Sequence, residues 1–267
     1  MDTSIPFNIH PQPDDATCGP TCLHAIYRYY QDPISLDEVI TQVDRWQQGG
    51  TLDVYLAMHA LRRGYQTTIV PFNLKLFDPT WATLSTAQIS EKLQHQLAFK
   101  SELPGFEEAT RAYLEYLAIG GKLQYKVLTP ALIRRYLKRG TPILTGLSAT
   151  YLYNSPREFE AGGHSIPDDV RGQSSGHFVV LWGYRREDRH VLVADPLVPN
   201  PLASDRYYGI DIYRLVCAIM LGILTYDGNL LIIRPRTPST RWHKPQCCIK
   251  KMAKGWQTHM GVKAIPH

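Results

Sequence analysis

The chain has 267 residues, 44% hydrophobic and 20% charged, which suits one large domain or one domain carrying insertions. It shows no internal repeat, no coiled-coil heptads and no phosphate-cradling glycine loop, and its longest apolar stretch, Leu215 to Leu224, is too short to span a bilayer. The formal charge of +5 is uneven: Arg236, Arg241, Lys244, Lys250, Lys251, Lys254 and Lys263 give the segment from Pro235 onward +7 with no acid, leaving the rest at −2.

In chain order, Met1 to His10 has neither a basic start nor an apolar stretch, so it does not resemble a signal peptide. The stretch from Pro11 to Thr17, with two prolines and two aspartates, reads as a turn. Leu23, Ile26, Tyr27 and Tyr30 then recur at helical spacing, and Pro20 fits the first turn of that helix. Ser35-Leu-Asp-Glu38 is a capping box opening a helix to about Gln47. Gly49-Gly50 ends it, and Thr51 is expected to cap a helix from Leu52 to Arg63. Tyr65 to Phe72 reads as a strand. Segment 73–128 looks like a helical insertion, with helices expected at Ser85 to Phe99 and Glu107 to Ile119. Thr129-Pro130 starts a helix to Lys138, and Pro142 to Leu147 is a strand.

Segment 148–175 looks like a second insertion. It is rich in tyrosine, glycine and charge, and it runs directly into His177, so a mobile rim or lid over the site is expected. Phe178 to Tyr184 and Val191 to Ala194 form a hairpin. If its loop is Arg185 to Glu187, Tyr184 faces Asp188, and the same register sets His177 directly opposite Asp195 on one face. A slip of one residue would put the two side chains on opposite faces. Leu215 to Leu224 reads as a buried core helix containing Cys217, and Asn229 to Arg234 as the last strand. The order, helical first and then mostly antiparallel strands, is an α+β pattern. The domain is expected over 1–234, followed by a basic, flexible tail at 235–267.

Four residues in this layout carry chemistry. Cys18 sits at a helix N-terminus, where the helix dipole and free backbone N–H groups favour a thiolate. His177 is a candidate base and Asp195 its orienting carboxylate. Gln12, six residues before Cys18, is placed to join the Cys18 N–H in an oxyanion hole. Gly19 lacks a side chain that would block a substrate carbonyl; Gly19, Gly176, Tyr151 and Tyr153 are the candidate substrate-binding residues. His164 is the rival base, disfavoured because it lacks a partner acid at cross-strand distance. Cys22 shares a helix face with Cys18 and reads as a buried small apolar residue. His243 with Cys247 and Cys248 lacks the spacing of a common zinc site, so neither metal nor cofactor is expected.

Three motifs, Gln-x5-Cys-Gly-Pro-Thr-Cys-Leu at 12–23, Gly-His-Phe-Val-Val-Leu-x-Gly-Tyr at 176–184 and Val-x-Val-Ala-Asp-Pro at 191–196, resemble those of papain-like cysteine peptidases of the bacteriocin-processing, double-glycine-leader type. The resemblance implies a papain-like α+β fold, with Cys18 as nucleophile, His177 as general base, Asp195 as orienter and Gln12 as oxyanion donor. It implies a cysteine hydrolase that cleaves a peptide or isopeptide amide in a peptide or protein substrate. Acyl transfer by the same thioester chemistry and a non-catalytic peptide-binding module are the alternatives. The chain is expected to be a stand-alone relative of that group, without an attached membrane domain or nucleotide-binding cassette. A reducing, cytoplasmic setting is expected from the cysteine pattern. The basic tail is a candidate contact for an acidic partner or nucleic acid.

Overall fold

Phe178 to Leu181 are apolar at every position, a pattern that suits a strand covered on both faces. The structure, a computed structural model describing residues 3–46, 49–162, 164–226 and 228–236, places that strand inside an eight-stranded sheet between two helical layers. The described residues form one compact unit. Most of the basic segment, with Cys247 and Cys248, lies outside the described residues.

The elements in chain order are β1 (Thr3–Ser4), α1 (Cys18–Tyr29), α2 (Leu36–Gln42), α3 (Asp53–Arg62), β2 (Tyr65–Pro71), α4 (Thr86–Lys100), α5 (Phe106–Ala118), β3 (Lys122–Leu123) and α6 (Pro130–Leu137). They continue with β4 (Ile143–Ser148), α7 (Ala149–Tyr153), β5 (Glu158–Ala161), β6 (His164–Pro167), β7 (Gly176–Arg185), β8 (His190–Ala194), β9 (Tyr207–Asp211), α8 (Ile212–Leu221) and β10 (Asn229–Pro235). The sheet runs β3-β2-β10-β4-β7-β8-β9, with β1 also on β7. Among the described residues, only the β2–β3 pair of this sheet is parallel. The expected α+β class holds.

Alternate residues of the central strands feed different cores. Leu144, Phe178, Val180, Ala194, Leu231 and Ile233 pack with α1, α3 and α5. Ile143, Val179, Leu181, Val193, Leu230 and Ile232 pack with α6 and α8. The insertion helices α4 and α5 belong to the first core through Ile89, Leu93, Phe106, Tyr113 and Tyr116.

Several expectations change. Ser35 and Glu38 do form the reciprocal capping box, but α2 stops at Gln42, because Val43 turns extended and buries. Thr51 does not cap α3; its hydroxyl donates to the Asp44 carbonyl, and Leu52 holds the cap position. Cys217 is exposed, not core: α8 buries Ile212, Leu215, Ala218 and Ile219, a stripe at helical spacing that Cys217 falls outside. Segment 148–175 contains α7 and the exposed two-stranded hairpin β5–β6.

The β7–β8 hairpin also differs from expectation. Its closing pair is Arg185 with His190, so the loop holds four residues, with Arg189 left-handed at φ 58°. Asp188 is therefore a turn residue, accepting from Arg185 Nε and from the His190 N–H. A β-bulge at Trp182 shifts the register between Leu181 and Gly183. Beyond it Val180 pairs with Ala194, and the same register continued sets Asp195 across from Val179. His177 and Asp195 are thus diagonal neighbours on one face, not directly opposed. The longer loop alone would have separated their faces; the bulge's one extra residue restores the parity.

Candidate active site

Three elements bring the expected catalytic residues together. Cys18 opens α1 directly after the Pro11–Thr17 turn, and the Thr21 N–H donates to the Thr17 carbonyl to start the helix. His177 is the second residue of β7, and Asp195 follows the end of β8. All three side chains are buried.

His177 Nε2 lies 2.8 Å from Asp195 Oδ1. Cys18 at the start of α1 is near enough to act on the charge of the same ring. Burial disfavours the imidazolium, but the Asp195 charge and hydrogen bond, together with Cys18, outweigh it and raise the His177 pKa to about 10. Burial likewise opposes ionisation of Asp195, yet His177 and the hydrogen bonds it accepts hold its carboxyl down at about 2. The arrangement is a buried imidazolium–carboxylate pair beside Cys18.

Asp195 has no free lone-pair direction. Oδ1 also accepts the Leu197 N–H at 3.0 Å, and Oδ2 accepts the hydroxyls of Tyr153 and Tyr208, each at 2.7 Å. Tyr153, expected at a substrate-binding rim, instead aims its hydroxyl at Asp195 and lays its ring 6.0 Å from that of His177. Tyr208 is a neighbour of the site that the sequence reading missed. It lies on β9 opposite Val193, and so on the same face as Asp195. Only the β8–β9 pairing reveals it, since the Tyr207-Tyr208 pair carries no motif.

Gln12 sits beside the pair. Its backbone N–H donates to the Pro196 carbonyl at 2.9 Å, and its side-chain Nε2 donates to the Asp14 carbonyl at 2.9 Å. Gly19 faces protein, not the approach of a substrate: a Cβ there would come within 2.6 Å of Thr51 Cγ2 and 3.2 Å of a Phe178 ring carbon. Gly176 is exposed at the start of β7, opposite Ser148. Tyr151 is partly exposed on α7, under the Arg214 guanidinium at 5.2 Å. His164 is exposed on β6, paired with Ala161. Cys22 is fully buried, its thiol donating to the Phe178 carbonyl at 3.3 Å, and burial pushes its pKa well up.

The sequence matches the Peptidase_C39 like family over residues 4–211, which spans all of α1 and β7–β9. The chain belongs to that family. It is a cysteine peptidase-like hydrolase, as the motifs led us to expect. Among solved structures it is similar to a C39-like peptidase from Bacillus anthracis, at 12% identity, covering 89% of this chain and 99% of that one, with a TM-score of 0.43. It is also similar to the peptidase domain of Streptococcus ComA, described as a bifunctional ABC transporter involved in a quorum-sensing pathway, at 13% identity, 86% and 100% coverage and a TM-score of 0.40. A third is xylellain, a cysteine protease from Xylella fastidiosa, at 14% identity, 88% and 86% coverage and a TM-score of 0.40. No curated protein matches. Among the described residues, no helix is long and apolar enough to cross a membrane.

Proposed function

We propose that this C39-like chain cleaves a peptide or isopeptide amide in a peptide or protein substrate, using Cys18, His177 and Asp195 as its catalytic triad. The observation that carries this reading is the His177 ring, held at 2.8 Å by the buried Asp195 carboxylate and electrostatically coupled to Cys18 at the start of α1.

The roles follow from the atoms. Asp195 occupies Nε2 of His177, so Nδ1 is the nitrogen left for proton exchange with Cys18 and with the substrate. Cys18 Sγ, its proton held on His177 Nδ1, attacks the carbonyl carbon as a thiolate, and the carbonyl oxygen becomes an oxyanion. The Cys18 N–H has no partner within the helix at that end. Gln12 Nε2 carries two hydrogens, of which the Asp14 carbonyl takes one. These two groups are the oxyanion donors. Nδ1 gives its proton to the amide nitrogen as the C–N bond breaks, leaving a thioester on Cys18 and a free amine. Water then attacks the thioester, loses a proton to Nδ1 and releases the carboxylic product as the C–S bond breaks. The raised His177 pKa fits the first half of this cycle, because the ring already holds the proton that the leaving amine needs.

Cys18→Ala is expected to abolish hydrolysis of any peptide the wild type cleaves while leaving the fold intact by circular dichroism. Cleavage undiminished in Cys18→Ala would sink this reading. Gln12→Ala should lower kcat by about 10²- to 10³-fold, the usual cost of losing one oxyanion donor.

A further inference from the structure

The environment of Asp195 carries more than the triad requires. An ionised carboxylate offers about four lone-pair directions. Here Oδ1 takes His177 Nε2 and the Leu197 N–H, and Oδ2 takes two phenol hydroxyls at 2.7 Å each. The phenols come from two different elements. Tyr208 stands on β9, the neighbour of β8, and Tyr153 ends α7, which leads into the β5–β6 hairpin. α7 is itself tied down by Arg214, whose guanidinium donates to the Tyr151 and Leu152 carbonyls.

We propose that Tyr153 and Tyr208 are positioning residues for catalysis, a pair of hydroxyls that keeps the Asp195 carboxylate ionised and turned with Oδ1 toward His177. The inference rests on the Cys18–His177–Asp195 reading above. Its physical basis is the cost of burying charge. Asp195 is fully buried, and an isolated carboxylate in such a site takes up a proton instead of remaining charged. Two short hydrogen bonds to the charged form oppose that. They also fix the rotation of the carboxylate, since turning it about its Cβ–Cγ bond would break four hydrogen bonds together. Burial and the Asp195 charge push both phenols far up, so they remain donors throughout the working range. The other titratable groups bearing on Asp195 are His177 from β7 and Cys22 from α1, while Cys18 of α1 bears on His177 and Tyr153.

The test is the pH profile of Cys18 alkylation by iodoacetamide on the full chain, read by peptide mass spectrometry. It compares wild type, Tyr153→Phe, Tyr208→Phe, the double variant, Asp195→Asn with and without both Phe substitutions, and His177→Ala. The double variant is expected to move the low-pH edge of labelling upward by about one pH unit, and each single variant by part of that, because a carboxylate without its donors protonates sooner. In the Asp195→Asn background the same Phe substitutions should leave the edge where Asp195→Asn put it. An unmoved edge in folded Tyr→Phe variants, even with a lowered melting temperature, overturns the proposal and leaves the tyrosines as packing residues. The single variants decide the matter if the double variant does not fold. An edge that His177→Ala leaves unchanged instead overturns the Cys18–His177 reading itself, and the clamp with it.

Discussion

Gly19 follows the candidate nucleophile in a motif where substrate access is the obvious explanation, yet its hydrogens point at Thr51 and Phe178. The position is glycine because α1 and the residues entering α3 approach too closely there for a methyl group. Gly19→Ala is expected to destabilise the fold by about 1–3 kcal/mol, the usual cost of overpacking. Thr51→Ser removes Cγ2 but keeps the hydroxyl bond to the Asp44 carbonyl, so it should recover part of that loss. Chemical denaturation of the two single variants and the double variant measures the coupling. Additive effects would show that the glycine answers to something other than Thr51. Tyr153 teaches the converse. Its place in a tyrosine-rich segment suggested a substrate contact, whereas its hydroxyl is spent on Asp195.

At the scale of elements, periodicity located most helices within a residue or two, because caps are local chemistry: Ser35 with Glu38, Ser85 with Gln88, and Thr129 before Pro130. It failed on which side of α8 is buried. Apolar residues dominate that helix, and reading it from Leu215 left out Tyr213 and Arg214, which mark its polar side; packing against β4 and α6 buries Leu215 and Ala218 and leaves Tyr213, Cys217 and Met220 exposed. Native-state labelling with a maleimide should therefore modify Cys217 readily and Cys22 only after unfolding. Protection of Cys217 equal to that of Cys22 would contradict this orientation. Hairpin register was equally beyond local reading. A loop one residue longer than expected and a bulge at Trp182 combine so that His177 and Asp195 still share a face.

Across the whole molecule, the helical segment 73–128 is part of the core, not an appendage. Tyr113 of α5 donates to Asp53 Oδ1 at the start of α3, and Asn229 of β10 reaches the same hydroxyl. Burial raises the Asp53 pKa to about 7 from its ordinary 3.8, against the hydrogen bonds from Tyr113, Asn229 and the local backbone. The folded state thus holds this proton more tightly than the unfolded chain. Its stabilising contribution is complete below about pH 4, declines as pH rises and is gone above about pH 7. The melting temperature of wild type should fall relative to that of Asp53→Asn across this window; parallel curves would refute the assignment. The sequence by itself determined the α+β class, the family motifs, most element positions and the four residues proposed for chemistry, since these depend on short-range patterns and residue type. Tertiary structure alone decided that Asp195 lies diagonal to His177, that Tyr208 and Tyr153 complete its hydrogen bonds, that Gly19 is packed and that Cys217 is exposed. Each of these depends on strand register or on which faces meet across the chain, and a shift of one residue reverses the outcome without changing any local pattern.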